Sequence, residues 1–238
     1  MASETQISYV LVHGTNAGGW CWRKVANILR AEGHQVFTPT LTGCGERSHL
    51  MSSEINLDTH IADVVNVIKW EQLSNVVLCG HSSGGWVISG VVEKIPELIK
   101  SIVYLDAFLP ENGQKAFEMQ SPQSREAVLV AKEAGEISRP PGSMERYNIN
   151  PDDREWFESL ATAQPIGTSL QPIVLTGAIE RVSKKTYIRA TAYPHPYFQA
   201  YYDSLKNDPS WRLFELECGH IVMADKPEEL AGILLEVA

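Results

Sequence analysis

Cysteine is scarce and scattered. The 238 residues hold four, Cys21, Cys44, Cys79 and Cys218, with no CxxC pair among them. That spacing argues against a disulfide framework and against a paired-cysteine zinc site. Cys79 sits in the apolar run VVLC and reads as a small core side chain. A reducing cytoplasm is the expected compartment. Basic residues are also short: 20 Lys and Arg face 29 Asp and Glu, a net charge of −9, and no basic stripe interrupts the chain. Nucleic acid is therefore not an expected partner. No apolar run reaches the roughly 20 residues that a membrane-spanning helix needs. The start MASETQISYVLVHG lacks a basic region followed by an apolar one. Neither a membrane nor a secretory leader is expected. Internal repeats, linkers and low-complexity tracts are missing as well.

What remains is an ordinary globular composition, 44% hydrophobic and 21% charged, long enough for one large domain with a buried core. The apolar run over 9–12 ends at His13–Gly14 and predicts a buried strand. Trp22, Val25, Ala26 and Leu29 have helical spacing over 22–32, and Gly33 stops them. A strand is expected over 35–39. After a loop, Ile61, Val64, Val65 and Ile68 share one helical face, with a cap expected near Asp58. A strand over 76–79, a helix over 86–94 and a strand over 102–105 follow. Strands alternating with helices imply a parallel sheet covered on both faces, an α/β fold. The alternation breaks between Pro110 and about Lys184, a stretch richer in Pro, Glu, Gln and Ser with a short helical piece over 152–163. It reads as a cap inserted over the sheet edge. The sheet resumes over 186–190 and 211–216, and Pro227 opens a terminal helix. The expected division is a core of 1–109 and 185–238 with a cap of 110–184.

The stretch VVLCGHSSGGWV, 76–87, places G-x-S-x-G between an expected strand and an expected helix. A middle residue on so tight a turn takes a strained backbone, and small residues two before and two after give it room. Ser82 is thereby read as a nucleophile with its hydroxyl raised above the sheet. Ser83 contributes differently, through a main-chain N–H at the helix start that points where an oxyanion would form. A chance pentapeptide would mark only a turn; the strand–turn–helix context weighs against that.

A serine hydroxyl needs a base. His220, preceded by Gly219 and following the last expected strand, is placed to act as one. His13 belongs to the turn after the first strand and fits a supporting role there. His81 packs inside the elbow. His34, His49 and His60 precede the nucleophile, and His195, between Pro194 and Pro196, reads as a surface-loop residue or a pocket wall. The second oxyanion N–H is expected from HGTNAGGW, from Thr15 first and Asn16 second. This loop is no dinucleotide site, because its glycines do not follow G-x-G-x-x-G.

The segments YVLVHGTNAGGWCW, GHQVFTPTLTG, VVLCGHSSGG and GHIVMADKPEEL together resemble an α/β-hydrolase. More narrowly they resemble the compact branch of plant methylesterases and hydroxynitrile lyases with bacterial esterase relatives. The resemblance covers nearly the whole chain. It implies a three-layer fold with a mostly parallel sheet of about six strands, a small helical cap after the fourth, no cofactor, no metal, and a Ser–His–acid triad. The acid departs from that pattern. The family keeps an aspartate on the loop after the second-last strand, where this sequence has IRATAYPHPYFQAYYD with Tyr193 at the matching place. Asp106, in SIVYLDAFLPENG, follows the strand after the nucleophile helix and is the expected triad acid. A helix or turn cap is the competing use of such an aspartate. Asp203 is the runner-up acid, Glu217 is nearer His220 in sequence, and Asp225 is read as a cap of the final helix region.

Trp156 and Tyr193 are the expected substrate-binding residues, with Phe108 and Phe157 as further wall candidates; Trp86, which follows the elbow, has burial beneath it as its competing reading. The expected reaction is hydrolysis of a small, mostly apolar carboxylic ester, or a related lactone, carbamate or amide, through an acyl-enzyme. A hydroxynitrile-type carbon–carbon lyase is the first alternative. Those relatives carry a lysine after the histidine, where this chain has Ile221. A ligand-binding protein on a hydrolase scaffold is the second. The expected partner is a small-molecule ester; a homodimer stays open. Ser82→Ala is expected to abolish activity, and Asp106→Asn to lower kcat by orders of magnitude while leaving the fold intact.

Overall fold

The computed structural model describes residues 6–238; the first five, part of the start read above as lacking a leader, lie outside the described residues. The expected strands appear as β1 (Ser8–Val12), β2 (Gln35–Phe37), β3 (Val76–His81), β4 (Ile99–Leu105) and, after an excursion that holds the two-residue strands β5 (Ser138–Arg139) and β6 (Gln164–Pro165), β7 (Lys184–Ala190). Strand β8 (Trp211–Leu216) completes a six-stranded sheet in the order β2-β1-β3-β4-β7-β8, with every pairing parallel. The order reverses direction between β1 and β3. At such a point the loops at the strand carboxyl ends diverge and leave a crevice.

The period-2 geometry of strands sorts alternate side chains to opposite faces. Val10 and Val12 of β1 and Leu78 of β3 enter one core. Its helices are α2 (Leu57–Trp70) and α3 (Gly84–Lys94). Tyr9, Leu11, Val77 and Cys79 enter the other, with α1 (Arg23–Ala31) and α9 (Pro227–Glu236). Helix α2 is capped by Asn56, two residues before Asp58. The Asn56 Oδ1 accepts the Thr59 N–H at 3.1 Å, and the Thr59 hydroxyl accepts the Asn56 N–H. Asp58 falls inside the first turn, where its charge still suits the positive helix end.

The stretch between β4 and β7 carries α4 (Pro122–Glu133), α5 (Pro151–Leu160) and α6 (Gly167–Leu170), with β5 and β6 pairing antiparallel. It has a small core of its own, Val128, Ala131 and Ile166. It also reaches both larger cores: Ile173, Ala178 and Val182 join one, and Met144, Ile149 and Phe157 the other. Helix α7 (Pro196–Leu205) and the short α8 (Val222–Asp225) complete the chain. All four cysteines are free and buried. No helix among the described residues is long and apolar enough to cross a membrane.

Candidate active site

The turn after β3 holds Ser82 at φ +55°, in the left-handed region that a side chain disfavours. Hydrogen bonds over-determine it: the Ser82 N–H donates to Leu105 O at 3.2 Å, and the Phe108 N–H donates to Ser82 O at 3.1 Å. The glycines are required by contact. A Cβ at Gly80 would lie 2.8 Å from Gly84 O, and one at Gly85 only 2.0 Å from Phe108 O. The strand and α3 can pack this tightly only without those side chains.

Asp106 also takes a positive φ, +41°, immediately after β4, and its side chain is fully buried. One carboxylate oxygen lies 2.7 Å from His220 Nδ1. The other accepts the Arg189 guanidinium at 2.6 Å and the Ala190 N–H at 3.1 Å. A carboxylate in this position only accepts, so the proton sits on His220 Nδ1 and Nε2 keeps its lone pair. Burial raises Asp106 to about 6, and Arg189 with the Ala190 N–H opposes the rise. Burial drives His220 well below its ordinary value, and the Arg189 and Arg146 charges push the same way. The pair at neutral pH is thus a carboxylate and an uncharged imidazole.

Arg189 was not anticipated. It is the last charge in the otherwise apolar end of β7 and is 2% exposed. Its guanidinium also donates to the carbonyls of Ala190 and Tyr193. It therefore fixes the loop from which the family's usual aspartate is missing. A cation inside a buried strand calls for a buried carboxylate partner, and that was the available signal. Asp203 is exposed on α7 and pairs with Lys206, so it serves no histidine. Glu217 is exposed. Asp225, instead of capping α9, accepts the N–H groups of Asn150 and Gly219, tying the histidine loop to the excursion.

His13 accepts the Leu41 N–H at Nε2, 3.0 Å, which leaves Nδ1–H to donate to Gly14 O at 2.8 Å. It supports the loop after β1, and burial lowers it to about 4. On that loop the Asn16 N–H is taken by Gln164 Oε1 at 3.1 Å. Thr15 instead lines the cavity, and its hydroxyl donates to Ser83 Oγ at 2.9 Å. Ser83 is the N-cap of α3. His81 Nε2 donates to His220 O at 2.8 Å, which joins the elbow to the histidine loop.

A cavity of about 500 Å³ brings Thr15, Ser82, Ser83, Tyr193 and His220 together. Tyr193 stacks on the His220 ring, centroids 4.4 Å apart at 29°. Trp86 and Phe108 also line it. Trp156 does not. Its ring meets Trp20 and Phe157 edge-on at 5.5 and 4.9 Å, in the apolar packing between α5 and the segment before α1. Helical phase puts it on the face turned toward that core, away from the cavity. Phe157 borders a small recess beside Ser82. His195, whose pocket role was the lesser of its two readings, does line the cavity and stacks on Phe198 at 3.9 Å. Burial lowers it to about 4.

Residues 9–233 match the alpha/beta hydrolase family. A carbendazim hydrolyzing esterase of Nocardioides sp. (strain SG-4G) is 39% identical over 94% of this chain and 96% of its own. Methylesterase 7 of Arabidopsis thaliana is 26% identical over 100% of this chain and 98% of its own. An extracellular alpha/beta-hydrolase from a Paenibacillus species has the same fold, with a TM-score of 0.82, 24% identity and coverage of 98% and 99% of the two chains. With its strained serine turn, its all-parallel six-stranded sheet and this match along nearly its full length, the chain belongs to the α/β-hydrolase family.

Proposed function

We propose that this protein is a serine esterase that cleaves a small carboxylic ester through an acyl-enzyme. The observation that carries the reading is the 2.7 Å contact between His220 Nδ1 and the buried Asp106 carboxylate, with His220 and Ser82 lining one cavity. Ser82 Oγ attacks the ester carbonyl while His220 Nε2 takes its proton. Asp106 holds the tautomer and stabilises the imidazolium that forms. The Ser83 and Thr15 N–H groups receive the oxyanion; neither has a hydrogen-bond acceptor among the described residues, whereas the Asn16 N–H is already engaged. His220 then protonates the leaving alcohol, and water activated by the same imidazole releases the acid. The 110–184 segment acts as a cap whose Tyr147 carbonyl accepts the His220 N–H at 2.8 Å. Four unpaired cysteines suit a reducing compartment.

A burst assay with a chromogenic short-chain ester tests the reading. The parent should release about one equivalent of chromophore rapidly and then turn over. Ser82→Ala should lose both phases and keep its fold. An intact burst in the variant overturns the assignment of Ser82. The lyase alternative has no cation after the histidine to hold a cyanide charge: Ile221 is buried in the core with Val222 and Met223.

A further inference from the structure

The protein carries nine more negative than positive charges, yet the cavity wall is of the opposite sign. Among the described residues, the charged groups lining it are Arg139 and Arg146, and no aspartate or glutamate joins them. Arg139, in β5, is half-buried. Its Nε is shielded from water and has no acceptor among the described residues. Arg146 lies at the rim, its guanidinium donating to the Tyr147 hydroxyl at 2.6 Å and covering that ring. Neighbouring Glu145 does not neutralise it, because its carboxylate pairs with Arg154 at 3.1 Å. The cavity is also lined by Ser121, Gln123 and Ser124, the cap and first turn of α4. The first turn of this three-turn helix thus borders the same cavity. Burial of Arg139 disfavours its charge, and Arg146 adds to that cost. An anion would offset both.

We propose that the cavity holds an anion subsite, in which Arg139, seconded by Arg146, binds a carboxylate that the ester carries away from the bond being cleaved. The proposal rests on the esterase reading and narrows it to anionic esters, such as half-esters of dicarboxylic acids or acyl esters of hydroxyaryl carboxylates. The guanidinium supplies paired N–H donors in the plane that a carboxylate matches. Those two substrate types place the anion on the acyl or the alcohol side, and both can be tested.

The experiment uses three probes: para-nitrophenyl butyrate, mono-para-nitrophenyl glutarate and para-(butyryloxy)benzoate. Each is titrated calorimetrically into the full-length Ser82→Ala variant, and each is assayed for turnover by the parent. At least one anionic probe should bind about tenfold tighter than the neutral one, the size expected of a charge-assisted contact. The anionic probe that gains identifies the side that carries the charge. The advantage should shrink with added salt, vanish in Arg139→Gln and survive in Arg139→Lys; Arg146→Gln should reduce it. Equal or weaker binding of both anionic probes overturns the subsite, as does an advantage retained by Arg139→Gln. Failure of the parent to hydrolyse any of the three, with the binding pattern intact, would instead count against the esterase.

Discussion

The Asp106 carboxylate divides its two oxygens between His220 and Arg189, and the division sets what each substitution does. Asp106→Asn leaves a neutral amide beside the imidazole, so kcat should fall by about 10³–10⁴. Among the described residues, it also strips the only carboxylate from a guanidinium that is almost entirely buried. Leaving one partner of a buried pair alone costs about 3–5 kcal/mol. The expectation of an undisturbed fold is therefore replaced by one of a marked loss of stability. Replacing both partners, Asp106→Asn with Arg189→Met, should recover most of that stability and none of the activity. Equal unfolding midpoints for the single and double variants would remove Arg189 from this account. The same pair sets a pH limb. Catalysis needs Asp106 ionised, and burial raises it to about 6, with Arg189 pulling against the rise. The parent kcat/KM should fall as pH drops through about 6. In Arg189→Gln the opposing cation is gone, Asp106 takes its proton at higher pH, and the limb should move upward. A limb unmoved by that variant would separate Arg189 from the acid.

At the scale of elements, the loop that carries His220 is held as much by the excursion as by the sheet. The Gly219 backbone meets Asn148 so closely that an added Cβ would lie 1.9 Å from its carbonyl oxygen. The next residue's N–H bonds Tyr147 O. Gly219→Ala should force the two segments apart, lower stability by about 1–3 kcal/mol and move His220 from Ser82, with kcat falling well beyond what the stability change explains. A variant with parent activity would mean the loop adapts without moving the imidazole. This meeting of loops is also the limit of what the chain showed on its face. Strands and helices were legible because alternate residues of β1 and β3 divide between two cores, and because Gly33 ends a helix with clear periodicity. The elbow was legible because three glycines within six residues have few other uses. The positions of Trp156 and His195 were not. Both lie in the 110–195 region, where short elements take their orientation from tertiary contacts, and no local pattern distinguishes a ring on the cavity side from one on the core side. Asp106 was inferred from an empty family position, and its second partner, Arg189, lies 83 residues away in a strand whose charge was given no role.

For the whole molecule, the buried histidines decide how stability responds to acid. His13 is lowered from 6.5 to about 4, His81 to about 3 and His195 to about 4, chiefly by burial. His60 and His220 are lowered by the same cause. In each case the unfolded chain takes a proton near pH 6.5 that the native ring refuses until the pH is lower. Their neutral burial contributes stability above pH 6.5, and that contribution is lost as pH falls toward 4. Asp106 and Asp225 work in the opposite direction, because burial raises them and the native state holds their protons at a pH where the unfolded chain has released them. Five rings outweigh two carboxylates, so the unfolded state binds more protons across the interval from pH 6.5 to 5. Each unmatched proton changes stability by about 1.4 kcal/mol per pH unit, and a chain of this size shifts roughly 2–4 °C in Tm per kcal/mol. A net excess of one proton over that interval already lowers Tm by roughly 4–8 °C. Calorimetry at pH 7.5, 6.5 and 5 should show a Tm that is level at first and then falls. A Tm that holds or rises at pH 5 would mean that the native rings accept protons freely, and the enclosed, uncharged His220 on which the esterase reading depends would have to be given up.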